Sequence, residues 1–286
     1  MKKRIFCSVV LSAVISCFVS TGWAVNSGAH IYVTEQVYGS ADVDLLYGSI
    51  APDLSLYVPV PEEWVAGFED THYNYIDLWP QGWTTPWKRF AMGWMLHNEE
   101  WGADWYSHIS YPKGPFGNGY VVDKASILSG VILTLNPGLE PDLAMEIAHN
   151  AIEFAIDLLI QENLDPALGD KLNTVVLSRS DEDIRRLFNI LVAKNKATDQ
   201  VTLYQSETFF RYLVFEYSQA LKNSSIGNMG PLAEAGSDLA FVLYGIDIPP
   251  DQVQGLLLGA VDLCAGDFQE FLDDTIDGIK VELGIQ

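Results

Sequence analysis

Apolar side chains recur three or four residues apart along most of the chain, which is the spacing of one face of an α-helix. The clearest run lies between Glu140 and the turn at Asn163, and it predicts a long amphipathic helix. Similar runs predict further helices over residues 180–197, 207–221, 232–244, 251–263 and 269–283. No run alternates with the period of a β-strand, so the pattern predicts an all-α fold.

The aromatic-rich middle of the chain follows the same pattern only in part. Residues 90–109 keep helical spacing with aromatic side chains interleaved, and they predict one more helix. Residues 59–86 and 111–120 are rich in proline, glycine and aromatic residues and are predicted to be loops.

The first 24 residues have the features of a secretory signal peptide. Three basic residues precede an apolar run over residues 5–19, and small residues follow near Ala24. The alternative is a lipoprotein signal, with the mature chain anchored at Cys17. No later stretch offers the roughly 20 apolar residues that a membrane-spanning helix needs. We therefore expect a secreted or periplasmic protein without a transmembrane helix in the mature chain.

The mature chain divides by its chemistry rather than by a visible linker. Residues 25–164 contain the candidate metal ligands and are predicted to form the core domain, and residues 165–286 are predicted to form a helical extension packed on it. Cys264 is the only cysteine after the predicted signal peptide, so an intramolecular disulfide is not possible.

Charge narrows the possible partners. The chain has 16 Lys and Arg against 38 Asp and Glu, a formal net charge of −22. Proteins that bind nucleic-acid backbones neutralise phosphates with Lys and Arg, so this balance argues against a nucleic-acid partner. Apolar residues make up 49% of the chain, which is enough for a substantial core.

The histidines carry the candidate chemistry. His149 and Glu153 lie four residues apart on the long helix, so their side chains share one face and can bind one ion. Glu100, Asp104 and His108 are also spaced by four. The other candidates are His97 one turn earlier, Asp53 directly after Pro52, His72, and His30 near the mature N-terminus. Each signal alone is weak, but together they favour a polynuclear metal site.

The order of these residues resembles the zinc-dependent phospholipase C family, which is related in fold to P1-type nucleases. The shared pattern is a histidine near the N-terminus, Ala-Pro-Asp, Thr-His, a helix with Asp and His four apart, and His-x3-Glu, over about residues 28–160. The resemblance implies a helical phospholipase C/P1 nuclease-like domain with two or three Zn²⁺ ions. It also implies hydrolysis of glycerophospholipids at a membrane surface to diacylglycerol and a phosphorylated headgroup.

The same resemblance implies ligand groups and roles. His30 and Asp53 would hold one ion, His72 and the Asp104 region a second, and His108, His149 and Glu153 a third. Asp53 would be the general base. Independently of the resemblance, Trp79, Trp83 and Trp87 lie in a loop rich in proline and glycine, where they are expected either to contact the headgroup or the membrane interface or to pack as ordinary core.

One position departs from the family pattern, which has a histidine four residues before the central aspartate. Here that position is Glu100, and His97 lies seven residues before Asp104, which on a straight helix is about 10.5 Å of rise. Either Glu100 replaces the histidine, or a local bulge near Trp101 brings His97 to the ion. If Glu100 replaces the histidine, the extra carboxylate ligand would also suit manganese, iron or calcium in place of zinc.

Two other functions fit the same residues. A nuclease or phosphomonoesterase of this fold would keep the ligands and differ in its substrate pocket. A non-catalytic exported zinc-binding protein would keep only some of them.

Overall fold

The computed structural model describes residues 27–58, 61–73, 87–179 and 200–285. The predicted signal peptide, Cys17, Trp79, Trp83 and the predicted helix over 180–197 lie outside the described residues.

Helices form nearly all of the regular structure in these ranges. The α-helices are α1 (Ser27–Tyr38), α2 (Val43–Ile50), α3 (Pro61–Phe68), α4 (Lys88–His97), α5 (Tyr120–Leu135), α6 (Pro141–Asn163), α7 (Leu168–Leu177), α8 (Gln200–Lys222), α9 (Gly230–Tyr244), α10 (Pro250–Cys264) and α11 (Phe268–Leu283). A 3₁₀ helix covers Ala51–Tyr57, and π-helical segments cover Glu69–Tyr73 and Trp105–Ile109. The described residues contain no β-strand, so the all-α prediction is confirmed.

Two local predictions are wrong. The run over 90–109 is not one helix, because α4 ends at His97 and regular structure resumes only after a turn. The predicted loop over 59–86 contains α3 and the first π-helical segment in its described part.

Helix α6 is the centre of the fold. From Ala148 to Gln161 every side chain on it is buried, including charged ones. Helices α1, α5, α7 and α10 pack around it. A helix surrounded on all sides carries its polar residues into the interior, so His149 and Glu153 must find partners there.

The C-terminal helices share this core. One continuous hydrophobic cluster includes residues from Ala29 on α1 to Ile279 on α11. The Tyr120 ring on α5 stacks on Phe271 with centroids 4.2 Å apart, and its hydroxyl donates to Asp267 at 2.6 Å. The boundary between residues 164 and 165 stays a prediction. Within the described ranges, no helix combines enough length and apolar character to cross a membrane.

Helices α2 and α4 cross at unusually close range through two glycines. A Cβ atom at Gly48 would overlap the carbonyl oxygen of Phe90, and one at Gly93 would overlap that of Leu45. The crossing aligns the end of α2, which leads into Asp53, with α4, which ends at His97. The two glycines therefore determine how closely these two candidate ligands approach.

We expect Gly48→Ala or Gly93→Ala to destabilise the protein by about 1–3 kcal/mol, because backbone on the facing helix must move. Urea unfolding monitored by circular dichroism measures the change. Gly130→Ala on α5 is the matched control, since a Cβ there meets nothing within 4 Å. This control should be stabilised by about 0.5–1 kcal/mol. Equal stability of the Gly93 and Gly130 variants would contradict the packing argument.

Candidate metal centre

Four buried side chains from distant parts of the chain converge on one point. Asp53, His72, His97 and Asp104 each offer a ligand atom, and these atoms lie within 4.8 Å of one another. The Nε2 atom of His97 is 3.2 Å from Asp53 Oδ1 and 3.0 Å from Asp104 Oδ2. The Nε2 atom of His72 is 3.7 Å from Asp53 Oδ1 and 3.6 Å from Asp104 Oδ2.

A turn centred on Asn98 brings His97 and Asp104 together. The Asn98 side-chain oxygen accepts hydrogen bonds from the backbone N–H groups of Glu100, Trp101 and Gly102 at 2.8, 2.9 and 3.2 Å. This Asn-centred turn replaces the continuing helix and reverses the chain. Seven residues of sequence separation therefore become a direct contact between the two side chains.

The hydrogen bonds behind His97 fix which of its nitrogens faces the centre. Its Nδ1 lies 2.8 Å from the carbonyl oxygen of Ser49, which can only accept. Nδ1 therefore carries the proton, and in the neutral ring Nε2 turns its lone pair to the centre.

His72 is oriented by a chain of hydroxyl groups. Ser55 donates to the carbonyl oxygen of Pro52, and Thr71 donates to Ser55 Oγ at 3.0 Å. Thr71 is also within donating distance of the Phe68 carbonyl oxygen, at 3.2 Å. When its proton goes to either of these oxygens, Thr71 Oγ1 accepts from His72 Nδ1, which is 2.7 Å away. In this tautomer the Nε2 atom of neutral His72 turns its lone pair to the centre, 3.2 Å from Nε2 of His97.

A second group lies on the other side of Asp104. His108 Nε2 and His149 Nε2 are 3.3 and 3.1 Å from the same oxygen of Glu153, Oε1. Glu153 is fully buried. His108 Nδ1 also faces Asp104 Oδ2 at 3.8 Å, which links the two groups.

His30 completes the cluster from helix α1. Its Nε2 is 3.1 Å from Asp104 Oδ1, and its ring stacks on His97 with centroids 4.3 Å apart. The family resemblance grouped His30 with Asp53. In the structure His30 instead faces Asp104, and Asp53 groups with His72, His97 and Asp104. Asp104 thus faces four of the histidines, His30, His72, His97 and His108.

The carboxylates and histidines of the cluster stabilise one another's charged forms. Burial alone would raise the pKa of Asp104, but His97 and His108 hold it well below its usual range. Burial lowers the pKa of His97, yet Asp104 and Asp53 outweigh this effect and raise it well above its ordinary value. The same balance, led by Asp104, raises the pKa of His108 to about 9.

The donor set fits divalent metal ions. Both oxygens of Asp53 and Oδ1 of Asp104 are buried without a hydrogen bond that meets normal geometry. Two imidazoles and two carboxylates converge here with nitrogen–oxygen distances of 3.0–3.7 Å, so the group could hold a metal ion. Imidazole and carboxylate groups are the ligands that zinc takes in proteins.

The structure separates two neighbouring glutamates. Glu99 is only 9% exposed, and its carboxylate groups with Asp104 and His108. Glu100 is exposed and belongs to none of the buried ligand groups. The sequence pattern missed Glu99 because it assumed one continuous helix up to Asp104, in which Glu100 and not Glu99 would share a face with Asp104. Residues 98–102 form a turn instead. The asparagine directly after His97 is the signal that could have shown the break.

Trp87, the described member of the predicted tryptophan trio, lies at the start of α4. It is partly exposed, at the end of that helix opposite His97. Contact with a headgroup stays a prediction.

Comparison of the chain with protein-family models, with curated proteins and with solved structures finds no significant match.

The glutamate pair gives a test of the ligand geometry. We expect Glu99→Gln to weaken zinc binding about tenfold or more, because a carboxylate beside two ligand atoms is lost. Glu100→Gln is the matched control and should bind zinc as the wild type does. Competition with a chromophoric chelator measures the affinities. The reverse order of effects would show that Glu100 is the ligand.

The raised histidine pKa values predict how the metal-free protein responds to pH. The pKa of folded His108, about 9, exceeds its ordinary value of 6.5, so its protonated ring stabilises the fold fully below about pH 6.5. This contribution is lost as the pH rises to about 9. Chelator-treated protein should therefore unfold at lower urea concentration at pH 9 than at pH 6.5, and His108→Gln should reduce the difference. Metal-free stability that rises over this range would contradict the prediction.

Proposed function

We propose that the protein is an exported, metal-dependent phosphodiesterase, most specifically a zinc-dependent phospholipase C. In this proposal it hydrolyses glycerophospholipids to diacylglycerol and a phosphorylated headgroup. One observation carries it: the residues that match the family pattern converge on a single buried cluster, although they lie up to 123 positions apart, from His30 to Glu153.

The residues divide into groups suited to separate ions, two of which would share the Asp104 carboxylate. Asp53, His72, His97 and Asp104 would hold one ion, His108, His149 and Glu153 a second, and His30 with Asp104 would contribute to a third. Bound divalent ions supply Lewis-acid activation of water and neutralise charge on the phosphate oxygens.

The protein's own groups prepare this centre. Ser49 and Thr71 hold the rings of His97 and His72 with their Nδ1 protons turned away, so both Nε2 atoms are available as ligands. Such outer contacts fix ring orientation and raise ligand basicity. Little rearrangement is then needed when ions bind.

Asp53 is suited to accept a proton. Burial alone would raise its pKa, but the charge of His97, together with the nearby rings of His72 and His97, lowers it on balance. The carboxylate is therefore ionised at neutral pH, as a general base must be. In the proposed reaction it takes a proton from the attacking water as the oxygen–phosphorus bond forms. The phosphorus–oxygen bond to glycerol breaks, and that oxygen takes a proton from solvent water, which balances the proton that Asp53 accepts and later returns to solvent.

Net charge bears on the choice of substrate. The chain is strongly acidic, with a formal charge of −22, which disfavours a polyanionic nucleic acid. It also gives no attraction to anionic lipids, so we favour zwitterionic phospholipids at a membrane surface.

The test is hydrolysis of phosphatidylcholine vesicles by zinc-loaded protein, with release of phosphocholine as the readout. Asp53→Asn should reduce the rate about 10²–10⁴-fold, because the general base is lost. Asp251→Asn, on the exposed first turn of α10, is the matched control and should retain full activity.

Elemental analysis of the same samples separates loss of the base from loss of an ion. Absence of ester release by zinc-loaded wild type, with Asp53→Asn behaving identically, would contradict the proposal. Preferential cleavage of single-stranded nucleic acid or of a phosphomonoester would identify the related activity of this fold. Fewer than two bound ions without hydrolysis would indicate a non-catalytic zinc-binding protein.

A further inference from the structure

A fully buried carboxylate outside the ligand cluster holds the first turn of helix α1. Asp157 lies on α6, one turn after Glu153, and is 0% exposed. Its Oδ2 accepts from the backbone N–H of Gly28 at 2.9 Å, and its Oδ1 accepts from that of Ala29 at 2.6 Å. The hydroxyl of Tyr217 on α8 donates to Oδ2 at 2.8 Å.

These contacts tie the start of one helix to the middle of another. The first N–H groups of an α-helix have no partner within the helix, and a negative charge there is favoured by the helix dipole. Most helices meet this need with a neighbouring Ser, Thr, Asp or Asn. Here the acceptor comes from 129 positions away, so the bond fixes α1 against α6 as well as capping it.

The backbone at Gly28 is shaped for this approach. A Cβ atom there would lie 2.5 Å from Cγ of Asp157, so a side chain at this position would push the carboxylate away. His30 comes two residues later and is directed to Asp104. The helix that Asp157 belongs to also supplies His149 and Glu153.

Asp157 is costly to the fold. Burial raises its pKa to about 7 even though Tyr217, Gly28 and Ala29 all donate to it. Capping of α1 alone would not require a buried ionisable group, since a local polar side chain satisfies the same N–H groups. The link between α1 and α6 is what the buried carboxylate adds.

We propose that Asp157 is a positioning residue for the metal centre: it fixes His30 on α1 relative to the ligands on α6. This inference rests on the proposed metal-dependent function, but it concerns metal binding rather than the reaction catalysed.

The test is the zinc affinity of Asp157→Asn, which keeps the shape of the side chain and removes one of the two acceptor oxygens. The ion nearest His30 should bind about 10–100-fold more weakly, as is typical when a group that orients a ligand is lost. The remaining ions should keep their affinity. Titration in competition with a chromophoric chelator, with total zinc counted by elemental analysis, separates the weakened ion near His30 from the ions whose affinity is unchanged.

Glu207→Gln is the matched control. Glu207 on α8 is also a buried carboxylate that accepts from a tyrosine hydroxyl, that of Tyr47, and it belongs to none of the ligand groups. A general loss of core stability would affect both variants, whereas a positioning role affects zinc binding only in Asp157→Asn.

Tyr217→Phe provides a milder variant should Asp157→Asn fold poorly. It retains the carboxylate and removes one donor, so it should weaken the same ion in the same direction by a smaller factor. Hydrogen exchange of the amides at residues 28–31 in the metal-free protein gives a second readout, and it should accelerate in both variants.

Unchanged zinc affinity in Asp157→Asn and in Tyr217→Phe would overturn the positioning role while leaving the proposed function intact. Zinc binding by the wild type without phosphodiester hydrolysis would overturn the proposed function alone. Wild-type protein that binds no zinc would overturn both.

Discussion

Lone pairs that face one another inside a protein interior must be separated by a cation. At the centre of this chain, Nε2 atoms of His72 and His97 and carboxylate oxygens of Asp53 and Asp104 meet within hydrogen-bonding range of a single point. Their desolvation is compensated only when a proton or a metal ion is present. The surrounding fold is organised to hold these groups in place in spite of that cost.

Several irregular segments make the convergence possible. The 3₁₀ helix after α2 carries Asp53, and the π-helical segments Glu69–Tyr73 and Trp105–Ile109 carry His72 and His108. π-helical turns widen the backbone and are frequent at functional sites. The regular helices α1 and α6 provide the rigid frame against which these shorter pieces are set.

Much of this arrangement follows from periodicity, and the rest depends on tertiary contacts. The pattern predicted α6 and its His149–Glu153 pair, because a helix of this length repeats its apolar spacing over several turns. The break after His97 was missed, since Asn98 ends the helix through side-chain bonds that a hydrophobic pattern does not record. No periodicity could have identified Asp157, because its role depends on a backbone 129 positions away.

Asp104 belongs to two of the three ligand groups and faces His108 of the third, and this sharing has a thermodynamic consequence. Its two oxygens face His30, His72, His97 and His108 at 3.1, 3.6, 3.0 and 3.8 Å. Sites that share a ligand and exchange protons cannot fill independently. Occupancy of one site would change the charge and orientation that the next ion meets, so the metal affinities would be linked to one another and to the release of protons.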